Sequence, residues 1–130
     1  NADGSNEQEL FKPGESPTYI EMSPSSSYVG YINDSYTLKI FRKSGGFVGK
    51  VTPTENIDAF KFSPDETKVY ACEGSATMYF YSISSMILLD QNELGGGGGF
   101  IDESNIFYQD TSDSNNHRFG IYNLNTNNYN

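Results

Sequence analysis

The sequence predicts an all-β chain of about three consecutive four-stranded antiparallel units, and three observations carry that prediction. β-Branched and aromatic residues alternate with polar ones in short runs, Gly, Ser, Asn, Asp and Pro fill the gaps between them, and the whole pattern recurs with a period near 40 residues. No window shows the apolar spacing of an amphipathic helix.

The first strand of each unit falls at Tyr19-Ile20-Glu21-Met22, Ala59-Phe60-Lys61-Phe62 and Gly98-Gly99-Phe100-Ile101, each running into a turn at Ser23-Pro24, Ser63-Pro64 and Asp102-Glu103. Second strands follow at Tyr28-Val29-Gly30-Tyr31, Val69-Tyr70-Ala71-Cys72 and Ile106-Phe107-Tyr108-Gln109. Third strands follow at Leu38-Lys39-Ile40-Phe41, Met78-Tyr79-Phe80-Tyr81 and Phe119-Gly120-Ile121-Tyr122, the last after a polar stretch at 110–116 that absorbs two extra residues. A fourth strand is expected at 47–51, after Ser44-Gly45-Gly46, and at 86–89, after Ser84-Ser85, while the third copy ends before supplying one. The units are 17–56, 57–97 and a partial 98–130, preceded by a flexible segment at 1–16.

Short strands at this spacing suit a sandwich or the blades of a propeller, and the fixed period favours blades. The expected fold is therefore about three consecutive four-stranded antiparallel propeller-type blades. Propellers close with about four to eight blades, so this one is expected to be incomplete: it is a piece of a longer propeller, or it assembles with copies of itself, or its repeats form an open stack with an exposed edge that must be covered.

Composition bounds what such a chain does. Of 130 residues only 35% are apolar, with ten Tyr, nine Phe and no Trp, so burial rests on Tyr and Phe and suits sheets packed on neighbouring blades. A net charge of −9 speaks against binding nucleic acid or anionic lipid. The longest apolar run, Met86-Ile87-Leu88-Leu89, falls far short of the ~20 residues that span a bilayer, so no membrane insertion is expected. A single Cys excludes an internal disulfide and a thiolate metal cluster, and leaves the compartment open between cytoplasmic and extracellular. The chain opens on Asn1 without an apolar leader, as a processed product or a piece of something longer does.

Few residues suggest chemistry. His117 has no sequence partner that makes it a base, Cys72 falls on an alternating strand as a small buried hydrophobe does, and no Gly-x-Ser-x-Gly elbow exists, so no catalytic residue is nominated. Asp110, Ser112, Asp113 and Ser114 alternate oxygens at a spacing Ca²⁺ can use, without the glycine and bidentate Glu of an EF-hand; apart from that ion no cofactor is expected. The five glycines at 95–99 lack the Lys-Ser/Thr of a phosphate loop and suit a flexible linker. In the Ser-Pro-Asp turn, Ser63 or Asp65 accepts a backbone N–H and Pro64 sets the first corner. Asn33-Asp34-Ser35 is an N-glycosylation sequon, which matters only in a secreted protein. The acids scatter through loops and polar strand faces, as a solvated rim or as an acceptor for a basic partner.

Two segments resemble a known family. Gly14-Glu15-Ser16-Pro17-Thr18-Tyr19-Ile20 leading to Ser23-Pro24, and Phe62-Ser63-Pro64-Asp65-Glu66-Thr67-Lys68-Val69-Tyr70-Ala71 leading to 78–83, are similar to the repeat of WD-type and YVTN-type β-propellers. The resemblance covers about residues 17–124, although the Gly-His dipeptide of WD repeats is absent and the Trp-Asp end of the third strand is replaced by Phe41-Arg42, Tyr81-Ser82 and Tyr122-Asn123. It implies a non-catalytic protein-protein interaction scaffold with a protein partner, contacted through the loop aromatics Tyr36 and Phe47 and through Tyr19. The alternatives are a secreted lactonase-like or divalent-metal-binding propeller, and a structural component of an extracellular fibre or surface layer.

Overall fold

In the computed structural model, residues 14–51, 56–73, 77–93, 98–110, 118–125 and 128–129 are described, Asp110 and the last two as backbone. Twelve strands are present among them: β1 (Pro17–Met22), β2 (Tyr28–Asn33), β3 (Leu38–Arg42), β4 (Phe47–Val51), β5 (Ile57–Phe62), β6 (Lys68–Glu73), β7 (Thr77–Ser82), β8 (Leu88–Asn92), β9 (Gly98–Phe100), β10 (Asn105–Asp110), β11 (Arg118–Asn123) and β12 (Asn128–Tyr129). They form three four-stranded antiparallel sheets in which every strand pairs with its chain neighbour: β1–β4, β5–β8 and β9–β12. No helix among the described residues is long and apolar enough to cross a membrane.

Each sheet is built by a tight turn whose polar side chains replace the missing ladder. After β1, the Ser26 N–H donates to Ser23 O at 2.8 Å and Ser23 Oγ accepts from the Tyr28 N–H at 2.9 Å. After β5, the Glu66 N–H donates to Ser63 O at 3.0 Å and Ser63 Oγ accepts from the Lys68 N–H at 2.9 Å. Asp65 Oδ1 accepts a second backbone N–H, from Thr67, so both acceptors expected at this turn are in use. The third copy makes the corner in fewer residues, with Asp102 Oδ1 accepting from the Ser104 and Asn105 N–H groups.

The sheets stack through alternate side chains and approach one another most closely along their first strands, β1, β5 and β9. Between the first two lies a core of Ile32, Leu38, Ile40, Val51, Ile57, Phe60, Phe62, Val69, Ala71 and Ile83. Between the second and third, Tyr70, Cys72, Met78, Phe80, Ile106, Tyr108 and Tyr122 form another. A fully buried Phe contributes ~1.5–3 kcal/mol by removal from water. Hydrogen bonds tie the same interfaces: Ser25 N–H to Glu66 at 2.7 Å, Lys68 Nζ to Glu103 O at 3.1 Å, Tyr122 OH to Asp90 at 2.5 Å, and Tyr70 OH to Gly98 O.

Four expectations are corrected. The fourth strand of the second sheet starts at Leu88 rather than at Met86, because Met86 takes a left-handed φ of 53° in the preceding turn and packs against the first core. The third sheet does carry a fourth strand, β12, paired through Tyr122↔Tyr129 and Asn123↔Asn128. Gly98 and Gly99, which the glycine run assigns to a linker and the repeat to a first strand, are strand residues opposite Tyr108 and Phe107, as the repeat predicts, while 94–97 lie outside the described residues. At the other end, 1–13 lie outside the described residues, but Glu15, placed in a flexible segment, is fastened to the first sheet by hydrogen bonds from Tyr31 OH, Asn33 Nδ2 and Lys39 Nζ.

Candidate functional site

At the end of the strands where β1 and β5 begin, a cleft of about 420 Å³ opens between the first two sheets. Thr18 and Tyr19 of β1, Asp34 and Tyr36 of the β2–β3 turn, and Ile57 and Asp58 of β5 line it. Two of the three aromatics singled out from the sequence, Tyr19 and Tyr36, are thus brought together.

The β2–β3 turn is organised by Asn33. Its Oδ1 accepts from the Ser35 and Thr37 N–H groups at 3.1 and 2.9 Å, and its main-chain oxygen accepts from the Tyr36 N–H at 3.0 Å. This closure holds Tyr36 at a left-handed φ of 56° with its ring exposed. Such a conformation costs a non-glycine residue ~1–3 kcal/mol and collects at functional positions. At Glu66 and Met86, which share it, the side chain is spent on the neighbouring sheet: Glu66 accepts from Ser25, and Met86 fills the space over Gly49. Tyr36 makes no such contact among the described residues and borders the cleft instead.

Tyr19 is fixed rather than mobile. Its ring stands edge-on to Phe60 with centroids 5.3 Å apart, and its hydroxyl donates to Glu21 at 2.9 Å and accepts from Lys61 Nζ at 3.1 Å. The Glu21 carboxylate paired with Lys61 raises that ammonium above its ordinary range, against the burial that lowers it. The Lys61 charge is therefore retained and balanced by Glu21, whereas Asp34 and Asp58 are exposed and make no hydrogen bond or ion pair among the described residues.

A second cleft of about 420 Å³ at the opposite end of the strands is lined by Ser27, Tyr28, Arg42, Lys43, Ser44, Asp65 and Glu66. Its charges are of both signs and largely engaged: Arg42 lies over the Tyr28 ring, Asp65 binds Ser63 and Thr67, and Glu66 binds Ser25. Of these two clefts, the first has one-sided unpaired charge among the described residues.

The remaining candidates fall elsewhere. Phe47 is exposed on β4, at the far edge of the first sheet, with its ring on Phe41 at 5.1 Å. Asn33 of the sequon is 6% exposed and its Nδ2 donates to Glu15 at 2.9 Å, so in the folded chain this amide anchors a turn. Cys72 is buried in the second core. Ser112, Asp113, Ser114 and His117 lie outside the described residues, as does the side chain of Asp110, and the described residues contain no group of three or more metal-ligating side chains. Sequence reasoning missed Asp58, one acid among many, and Glu15, whose carboxyl is held down at about 2 by the hydrogen bonds from Lys39, Tyr31 and Asn33.

No protein-family model and no curated protein sequence matches this chain. Solved structures do. The C-terminal WD40 domain of Sif2 superposes with a TM-score of 0.70 at 11% identity, over 94% of this chain and 35% of that one. BamB from Moraxella catarrhalis gives 0.72 at 15% identity, over 92% and 37%, and the RRP9 WD40 repeats give 0.67 at 14%, over 93% and 39%. The chain thus spans well under half the length of these structures. Three stacked four-stranded antiparallel sheets in chain order, matched over nearly their whole extent to these domains, have a WD-repeat-like β-propeller fold.

Proposed function

We propose that the chain is a non-catalytic protein-protein interaction scaffold, and that the cleft between its first two sheets receives a lysine or arginine side chain of a protein partner. The observation that carries this reading is the pair of carboxylates, Asp34 and Asp58, exposed and unpaired among the described residues beside Tyr19 and Tyr36. Aromatic faces flanked by carboxylates attract a cation through both the ring quadrupole and the charge. The net charge of −9 steers a basic segment toward the chain. Tyr36 holds its left-handed φ of 56° at the rim of the cleft and stays 42% exposed, open to contact with a partner.

The test is fluorescence anisotropy with labelled peptides rich in Lys and Arg, against Glu-rich controls of equal length. Saturable binding of the basic peptides that weakens with salt, and falls about tenfold in Asp34→Asn/Asp58→Asn, supports the reading; equal binding by that variant refutes it.

A further inference from the structure

We propose that Glu15 is a positioning residue for the cleft between the first two sheets, acting through Asn33 on the turn that carries Asp34 and Tyr36, a role that rests on the reading of this cleft as the site for a basic side chain.

Asn33 has four polar groups, and three of them close the β2–β3 turn. Its main-chain N–H donates to Thr37 O at 3.2 Å, its main-chain oxygen accepts from the Tyr36 N–H at 3.0 Å, and its Oδ1 accepts from the Ser35 and Thr37 N–H groups. The fourth, Nδ2, donates to Glu15 Oε2 at 2.9 Å. Asn33 is buried, so without that acceptor its NH₂ group has little water to turn to.

The direction of the Asn33 amide decides whether the turn closes. With Nδ2 on a carboxylate, Oδ1 faces the two main-chain donors. Turned over, the amide would set its NH₂ against those donors and its oxygen against the carboxylate, so Glu15 selects the closing orientation. That closure holds Tyr36 at its φ of 56° and places it with Asp34 at the cleft.

The Glu15 carboxylate is itself held for this contact. Its Oε1 accepts from Tyr31 OH at 2.6 Å and from Lys39 Nζ, which leaves Oε2 for Asn33. Glu15 is not among the residues that line the cleft, so its influence there passes through Asn33. In the second sheet the position of Asn33, paired with the start of the first strand, is taken by Glu73. A carboxylate has no N–H to give, so the link is not repeated there.

Fluorescence anisotropy with a labelled Arg-rich peptide tests this, read beside the ¹⁵N amide shifts and urea stability of the free chain. Glu15→Ala is expected to bind about fivefold more weakly and to shift the Ser35, Tyr36 and Thr37 amides. Glu15→Gln keeps one oxygen, and buried Asn33 claims it, because the Lys39 side chain is 25% exposed and has water instead. That variant is expected to bind within about twofold of the unmodified chain, with those amide shifts unchanged, although it loses the ion pair and some stability. A Glu15 that merely fastens the segment before β1 would lower stability in both variants and change affinity in neither. Unchanged affinity in Glu15→Ala, or an equal loss in both variants, overturns the proposal alone. Failure of the unmodified chain to bind the peptide overturns the cleft reading and the proposal with it.

Discussion

The Phe60 ring occupies the space in front of Gly30: a Cβ on that glycine would lie 2.5 Å from Phe60 Cε2 and 2.7 Å from Cζ. Phe60 is fully buried between the first two sheets, so its ring has nowhere to retreat. Gly30→Ala is expected to destabilise the fold by ~1–3 kcal/mol through overpacking. Phe60→Ala is expected to cost ~3–5 kcal/mol. In the double variant the alanine at 30 gains room, so its added cost shrinks; urea denaturation of all four chains reads this coupling, and strict additivity contradicts the contact.

Acid should unfold the chain through two carboxyls. Glu15, hydrogen-bonded by Lys39, Tyr31 and Asn33, sits at about 2 against an ordinary 4.5. Burial pushes Glu66 up, but hydrogen bonds from Ser23, Ser25 and Ser27 outweigh it and hold it at about 2. Folded-state values below the unfolded ones mean stability that is fully present above pH 4.5 and lost as pH falls from there toward 2. Glu15→Gln is expected to be less stable at neutral pH and to show a shallower loss across that window, measured by urea titration at successive pH values; an unchanged slope contradicts it.

The glycines of β9 are not equivalent. A Cβ on Gly98 would fall 2.0 Å from the Phe107 carbonyl oxygen, whereas one on Gly99 meets nothing within 4 Å. Gly98→Ala is expected to lose ~1–3 kcal/mol, because the obstacle is backbone of the paired strand. Gly99→Ala is expected to stay within ~0.5 kcal/mol of the unmodified chain. Thermal denaturation that ranks the two equally contradicts the assignment of Gly98 as a strand residue opposite Tyr108.

Tyr36 separates stability from binding. Glycine adopts its left-handed φ of 56° without steric cost, so Tyr36→Gly is expected to leave stability unchanged or raise it by up to ~1 kcal/mol. The same variant is expected to bind Lys- and Arg-rich peptides about fivefold more weakly, the loss of one cation–π contact. A variant that loses stability and keeps its affinity points instead to a purely structural tyrosine.

The strands were legible where alternation and turn chemistry agree, as in Phe60-Lys61-Phe62 running into Ser63-Pro64, because both signals are local. β12 was not, since its Asn-rich surroundings carry no apolar alternation and its pairing to β11 is made by backbone. Met86 looked like a strand residue because it is apolar, yet its burial comes from Gly49 on another sheet. The cleft was half legible. Tyr19 and Tyr36 stood out as aromatics beside turns, but their meeting with Asp58 depends on how β5 packs against β1, a long-range fact that spacing does not encode. Glu15 was hidden for the same reason, its partners lying 16 to 24 residues away.

The most direct test of the scaffold reading is a two-dimensional ¹⁵N NMR titration of the chain with an Arg-rich peptide. Shift changes are expected to concentrate at Thr18, Tyr19, Asp34, Tyr36, Ile57 and Asp58, and to vanish in Asp34→Asn/Asp58→Asn. Changes confined to the opposite cleft around Arg42 and Glu66, or none at saturating peptide, would contradict it.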